Sequence, residues 1–329
     1  MNYLGIDVSK TKIDCCLFIN EISGKKKTKV FSNNEIGFNN LINWFTLLKI
    51  SHNDLLITLE ATGIYHENLC YFLHDAGCTL ALSNPFRARR FAQSMSILNK
   101  TDKADSEVLA KYGAFAHLKI WKPDSENIKF LKHLIARRDA VYSDLLRENN
   151  RLEKSTFNHT SIQVINMIKN SIDSLQSSLL SIDEMISDLI EQDRDLKSDL
   201  DLLQSIPAIG KRTGLLMLNL FHSHQFDTAS QAAAYVGLVP LQRQSGTSVR
   251  GASRLSKTGS TKIRSSLYMA AVVAIRHNPH VKVMYDRLLK NGKAKMAALC
   301  AAMRKLIHIC YGVLKNKTPY HADFLQENS

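Results

Sequence analysis

Four carboxylates, Asp7, Glu60, Asp102 and Asp105, have the types and placement that phosphodiester chemistry needs. Asp7 stands at the end of the short apolar run 3–8. Glu60 ends another, at 55–59. Asp102 and Asp105 lie three apart in NKTDKADSEVLAKYG, which reads as a helix, so both fall on one face. Carboxylates brought together repel one another unless divalent cations sit among them. Mg2+ prefers such hard oxygen ligands, and two ions roughly 4 Å apart would suit a phosphoryl centre. The plainer alternative is a set of surface carboxylates, with Asp102 capping its helix and Asp105 in the first turn.

A second stretch answers to phosphate. Between Asp227 and Asp286 there is no acidic residue, yet Arg243, Arg250, Arg254, Lys257, Lys262, Arg264, Arg276 and Lys282 all lie there. Its middle, QSGTSVRGASRLSKTGST at 244–261, is Ser, Gly, Thr and spaced cations. Such a composition suits a flexible loop rather than a helix. Cations without counter-charges are costly to gather unless a polyanion neutralises them. The expectation is a loop that closes on nucleic-acid phosphates; the bland alternative is a solvated basic loop. Upstream, IPAIGKRTGLLMLNL resembles half of a helix–hairpin–helix, with Lys211 and Arg212 at the start of a helix. Backbone N–H groups there could meet a phosphate. A glycine turn between two core helices would look the same.

The elements that must carry these residues are legible in outline. Apolar runs at 3–8 and 13–19 joined by a turn, then a strand at 29–31, give a hairpin and a third strand. Helical spacing at 36–50, 64–76 and 86–95 alternates with strands at 55–59 and 78–82. This order predicts an α/β domain with a mixed sheet, whose ligands gather at the carboxyl ends of its strands. An actin-like phosphotransferase opens similarly but needs Gly-rich phosphate loops further on. From Ile128 a heptad pattern begins, with Ile135, Tyr142 and Asn149 on one line and Leu131, Arg138, Leu145 and Leu152 on the other. A second set runs through Ile165, Ile172, Leu179 and Ile186, with Ile168, Leu175, Ile182, Leu189 and Leu196. These predict coiled-coil helices, paired with each other or, as the favoured expectation, with another chain. Beyond 200 the pattern is all-α, and the basic loop is its one long irregular segment. The expected domains are 1–123, 124–199 and 200–329.

Charge follows that division. The 329 residues carry net +13. Residues 1–123 hold 15 basic against 11 acidic, 124–199 hold 10 against 14, and 200–329 hold 18 against 5. The excess in the last third points to a polyanionic partner. A hydrophobic content of 45% excludes global disorder. Six cysteines, none in a C-x-x-C pair, argue against a zinc site and fit a reduced cytosol. His222, His224, His277, His280 and His308 lack partners at ligand spacing and read as surface or core histidines. No signal peptide and no apolar run of membrane-spanning length is expected.

These motifs together resemble one family, the DEDD transposases of the insertion-sequence-110 group. The first set is Y-L-G-I-D-V-S-K, L-E-A-T-G-I-Y and K-T-D-K-A-D. The second runs from I-P-A-I-G through G-L-V-P-x-x-x-x-S-G to L-S-K-T-G-S. Nearly the whole chain is covered; Ser106 departs from the alanine expected after the last aspartate. The resemblance implies a RuvC-like, RNase H-fold N-terminal domain, central coiled-coil helices and an all-α C-terminal domain. It implies that Asp7, Glu60, Asp102 and Asp105 bind Mg2+, and that Ser245 attacks a phosphodiester to hold DNA covalently. Lys211, Arg212, Arg243, Arg250, Arg254, Lys257, Lys262 and Arg264 would bind nucleic acid. The implied partners are donor and target DNA, a non-coding guide (bridge) RNA, and further copies of the chain in a dimer or tetramer. The implied place is the cytoplasm, beside the nucleoid, with no membrane. Two other classes stay open: a hydrolytic junction endonuclease, which would need no Ser245, and a non-catalytic nucleic-acid-binding protein, which would need no acidic quartet.

Overall fold

The computed structural model describes residues 1–61, 63–97, 101–241, 244–245, 249–250 and 254–322. At Lys103, Gln244, Ser245, Val249 and Arg250 it describes backbone only. The chain divides into two compact units, Met1–Pro123 and Asp124–Ser329.

In the first unit, β1 (Asn2–Val8), β2 (Lys12–Phe18) and β3 (Lys26–Ser32) form an antiparallel meander. After α1 (Glu35–Leu47), β4 (Leu55–Glu60) returns parallel to β1. Then α2 (Glu67–Asp75) leads to β5 (Thr79–Ser83), parallel to β4. The sheet order is β3-β2-β1-β4-β5, the mixed sheet that the alternation predicts. Two further helices follow, α3 (Pro85–Ser94) and α4 (Asp102–Phe115). Starts are marked by capping: Asn34 accepts from Gly37 N, Asn84 from Phe86 N and Arg87 N, and Thr101 from Ala104 N. Thr101, not Asp102, is therefore the cap of α4. The core is apolar and continuous, with Leu4, Ile6, Ile13, Phe45, Ile57 and Leu59 fully buried.

The second unit opens with α5 (Glu126–Phe157) and α6 (Ile162–Gln192), which pack against each other as a hairpin. On α6 the expected stripe faces inward: Ile172, Ile182, Ile186 and Leu189 are buried, and Ile165, Ile168, Leu175 and Leu179 half-buried. On α5 one heptad line is shifted. Tyr142 and Asn149 are exposed, while their neighbours Val141 and Glu148 turn inward. Arg138, on the other line, makes a two-pronged ion pair with Asp183 of α6, Nε to Oδ1 at 2.6 Å and Nη2 to Oδ2 at 3.1 Å. That pair fixes the helices in one register. Replacing Ile172 and Leu179 together by Asp should bury two charges in the hairpin seam. We expect a melting temperature roughly 10 °C lower, from about 3–4 kcal/mol. Circular dichroism checks this, and an unchanged melt would show that the stripe does not carry the hairpin.

Helices α7 (Arg194–Gln204), α8 (Lys211–Ser223) and α9 (Ala229–Tyr235) follow, and α10 (Thr261–His277), α11 (Pro279–Lys290) and α12 (Lys295–Asn316) close the unit. The base of the hairpin shares their core: Ile128, Leu131, Ile135, Val141, Ile182 and Ile186 cluster with Leu216, Leu218, Leu267 and Leu306. Residue 199 is thus no structural boundary, because apolar surface runs straight through it.

Two expectations need correction. The basic segment is not wholly irregular, and the C-terminal part is not purely α. Two small antiparallel ribbons occur, β6 (Pro240–Leu241) with β9 (Arg254–Leu255), and β7 (Gln244–Ser245) with β8 (Val249–Arg250). Composition hid them because each strand is only two residues long. Moreover α12 is long and apolar enough to span a bilayer, with 22 residues and a mean hydropathy of 1.4 over an 18-residue window. It reads so because helices pack on several of its sides, burying Ala298, Ala302, Leu306, Ile307 and Cys310.

Candidate active site

The acidic site is built by the register of three strands and one helix. In the parallel pairing, Ile6 lies beside Leu59, which brings Asp7 level with Glu60 at the carboxyl ends of β1 and β4. In the antiparallel pairing, Asp7 lies directly opposite Asp14 of β2. Helix α4 then crosses the sheet in contact with β1, β2 and β4.

Two glycines let it approach. A Cβ on Gly5 would stand 2.0 Å from Ser106 O and 2.3 Å from Ala110 N, both backbone atoms of α4. A Cβ on Gly113 would stand 2.0 Å from Thr58 Oγ1. Ser106 is buried at this crossing. Gly5 and Asp7 share a face of β1, so seating α4 on Gly5 carries its first turn, with Asp102 and Asp105, toward Asp7.

The Asp7 carboxyl feels the charge of the others. Asp7 is pushed up to about 6, first by burial, then by Asp105, Asp102, Glu60 and Asp14. Lys12 of β2 partly offsets the crowd. Its Nζ is 2.8 Å from Asp102 Oδ2 and 3.0 Å from Asp14 Oδ2, and these hydrogen bonds raise its pKa, Asp102 contributing most. Sequence reasoning passed over Asp14 and Lys12. The signal was there, since a tight hairpin about residues 9–12 places Asp14 opposite Asp7. Among the described residues, no group of three or more His, Cys, Asp or Glu side chains is gathered closely enough to hold a metal ion by itself. The donor set still suits a hard divalent cation: carboxylate oxygens at a sheet edge, one of them raised to about 6 by burial first and by like charge second.

The basic residues fall into three groups. Arg254 and Lys257 are exposed on and just after β9. Arg264 is instead a clamp: its Nη1 donates to Val236 O at 3.1 Å and Gly259 O at 2.6 Å, and its Nη2 to Thr261 Oγ1 at 3.3 Å. Gly259 permits this closure, since a Cβ there would lie 2.1 Å from Tyr235 O. With Ser256 N on Val239 O and Lys257 N on Gly237 O, the two ends of the basic segment are tied together. Lys211, Arg212 and Lys262 engage the hairpin: Lys211 Nζ donates to Ser187 Oγ at 2.9 Å, and both others contact Asp139. Ser245 lies on β7, its backbone paired with Val249, and Gln244 pairs with Arg250. Arg243 and the side chains of Ser245 and Arg250 lie outside the described residues. Of the histidines, His222 bonds Asp199 at 2.9 Å, and His224 is pushed down to about 4 by burial and then by Lys132.

Two family models match this chain, one described as a transposase over residues 4–156 and one as the transposase IS116/IS110/IS902 family over 200–286. The pilin gene-inverting protein of Moraxella bovis is 32% identical over 97% of this chain and 97% of its own. The chain belongs to the IS110 transposase family. This family member is accordingly a DNA recombination and transposition enzyme. Its counterpart in Moraxella lacunata is likewise 32% identical over 97% of both chains. The transposase for insertion sequence element IS1111A of Coxiella burnetii is 28% identical over 46% of this IS110-family chain and 44% of its own. Among solved structures, Thermus thermophilus RuvC is 13% identical, with a TM-score of 0.28 over 36% of this chain and 99% of that one.

Proposed function

We propose that this transposase breaks and rejoins DNA through a covalent phosphoserine at Ser245, supported by a Mg2+ site on Asp7, Glu60, Asp102 and Asp105. The acidic half of this reading is carried by the register that sets Asp7 level with Glu60 and by the seat of α4 on Gly5; burial first and four further carboxylates second raise Asp7 to about 6. Such crowding is an electrostatic cost that bound cations relieve. The sheet order β3-β2-β1-β4-β5 agrees with the RNase H-like, RuvC-like class that the family resemblance implies. The pilin gene-inverting relatives carry a name for a rearrangement. Inverting a gene requires resealing as well as cutting, which favours an enzyme that conserves the phosphodiester over a hydrolase.

In the reaction, the Ser245 oxygen attacks phosphorus. The serine gives up its hydroxyl proton to solvent as its P–O bond forms, one P–O bond to the strand breaks, and the leaving oxygen takes up a proton. Attack by the other strand's hydroxyl reverses the exchange and returns the serine. Bound at the carboxylates, Mg2+ supplies charge for the phosphate and lowers the cost of a serine alkoxide. To take it, Asp102 would exchange its Lys12 partner for the cation. Arg254 and Lys257 would draw the backbone phosphate in, with Arg243 and Arg250. Donor and target DNA would be chosen by a non-coding guide RNA, in the cytoplasm beside the nucleoid. The chain would act as a dimer or tetramer.

The test gives the protein nicked suicide DNA, its guide RNA and Mg2+. A protein–DNA band surviving denaturing electrophoresis is expected, with the phosphate on Ser245 by mass spectrometry. Ser245→Ala should bind both nucleic acids and give no such band. An adduct on Ser248, Ser253 or Ser256 would move the nucleophile. Cleavage without adduct, undiminished in Ser245→Ala, would establish the hydrolytic nuclease.

A further inference from the structure

The residues that tie α8 and α10 to the hairpin form a cluster with more cations than it can satisfy. Asp139 of α5 is its centre. Its Oδ1 is 3.6 Å from Arg212 Nη2 of α8, and its Oδ2 meets Lys262 of α10. The two helices are themselves joined there, Thr213 Oγ1 to Ser266 Oγ at 2.9 Å. Beside Asp139 stands Arg138, whose charge is taken up by Asp183 across the hairpin. Lys211, next to Arg212, donates to the Ser187 hydroxyl at 2.9 Å. Asp139 and Asp183 thus pair with Arg138, Arg212 and Lys262, and Lys211 adds a fourth cation beside them.

The bonding is not that of a settled ion pair. Arg212 keeps a long contact to Asp139 rather than the two-pronged fork that Arg138 makes, and its guanidinium lies 5.2 Å from the centre of the Tyr142 ring. An arginine resting over an aromatic ring is well placed to donate to a phosphate, which offers more acceptor oxygens than one carboxylate. Lys262 is pushed down by burial first and by the Arg138 charge second, so this ammonium lies where a further anion would relieve it. Lys211 and Arg212 open α8, and Lys262 lies in the first turn of α10, so both helix starts add to the positive field. Arg212 remains more than half exposed.

We propose that this cluster is a backbone-phosphate site for nucleic acid, and that Asp139 is its built-in counter-charge, standing in for a phosphate until a strand displaces it. The proposal rests on the membership of this chain in a DNA-acting family, and it does not depend on Ser245 or on the acidic site. A charged stand-in holds the two helices to the hairpin in the free protein. It also lowers affinity for any strand by the cost of its own displacement.

The test measures binding of the full-length protein to a labelled DNA duplex and to a labelled structured RNA of equal length. Both arms run without divalent cation over a series of salt concentrations. Asp139→Asn should bind about three- to tenfold more tightly in at least one arm, the cost of one or two partly exposed ion pairs. Arg212→Ala and Lys262→Ala should bind more weakly in the arm that gains, each with a shallower salt slope there, by about 0.9 on duplex DNA. A gain confined to one arm assigns the strand as DNA or RNA. Asp139→Asn binding no tighter in either arm, with an unchanged melt, overturns the proposal. If Asp139→Asn melts early, the two cation variants decide: wild-type affinity and slope in both would overturn it. None of these outcomes bears on covalent chemistry, which the adduct experiment reads separately.

Discussion

Asp7→Asn should abolish strand exchange, by about a thousandfold or more, while making the cation-free protein more stable at neutral pH. The sign follows from the direction of the shift. An ordinary aspartate titrates near 3.8, and burial together with four carboxylates raises Asp7 to about 6. A raised acid contributes its full stability below the unfolded value and loses it as pH rises through the folded one. Above pH 6 the folded unit therefore carries an ionised Asp7 that it disfavours. The neutral amide removes that cost. After allowance for solvent at this partly exposed site, the gain is on the order of 1–2 kcal/mol, or roughly 4–8 °C. It should be present at pH 8, smaller at pH 6 and gone near pH 4. Scanning calorimetry without divalent cation measures it. Adding Mg2+ should raise the wild-type melt and leave the variant's where it was. A variant no more stable than wild type at pH 8, or one still active, would contradict the crowded-carboxylate site.

Gly5→Ala should unfold or badly loosen the first unit. The new methyl would meet two backbone atoms of α4, at 2.0 and 2.3 Å, and a helix backbone cannot rotate away as a side chain can. Overpacking of this kind costs about 3 kcal/mol or more, so a melt at least roughly 10 °C lower is expected. Gly113→Ala supplies the comparison. Its methyl meets Thr58 Oγ1, the end of a side chain that can change rotamer, and about 1–2 kcal/mol should suffice. If the two variants melted alike, the seat of α4 would lie elsewhere. Where any Gly5→Ala protein stays folded, strand exchange should still fail, because lifting α4 carries Asp102 and Asp105 away from Asp7. These two glycines therefore position the carboxylates as much as they pack the core.

How much of this could be read from sequence depended on whether the deciding force was local. The strands, the mixed sheet and the positions of Asp7 and Glu60 at strand ends followed from alternating apolar runs, each of which carries its own period. The helix holding Asp102 and Asp105 was equally plain, although its cap proved to be Thr101. Asp14 and Lys12 were missed because their importance comes from cross-strand register, which periodicity alone does not state. The line through Tyr142 and Asn149 was misplaced by one residue because α5 does not face one partner throughout. Its base packs on the C-terminal helices as well as on α6, and Val141 turns inward for that reason. Arg264 looked like one more phosphate ligand in a basic run. Only the fold shows its donors bound to the carbonyls of Val236 and Gly259. Asp139 had no distinguishing neighbour in sequence, since its partners lie more than seventy residues away on α8 and α10.

The Arg138–Asp183 pair also bears on how this protein can change its dimensions. It sits near the base of the hairpin, close to the shared core, and everything beyond it toward Phe157 and Ile162 hangs from that pin. Because the inward stripe repeats every seven residues, a matched insertion of seven in each helix beyond the pin would restore the same face. It would lengthen the arm by about 10 Å. An insertion of two in one helix alone would turn its outer half by about 200°, away from its partner. The reach of the arm is thus quantised in heptads, and evolution can lengthen or shorten it in whole steps while the cation cluster at its root keeps its geometry.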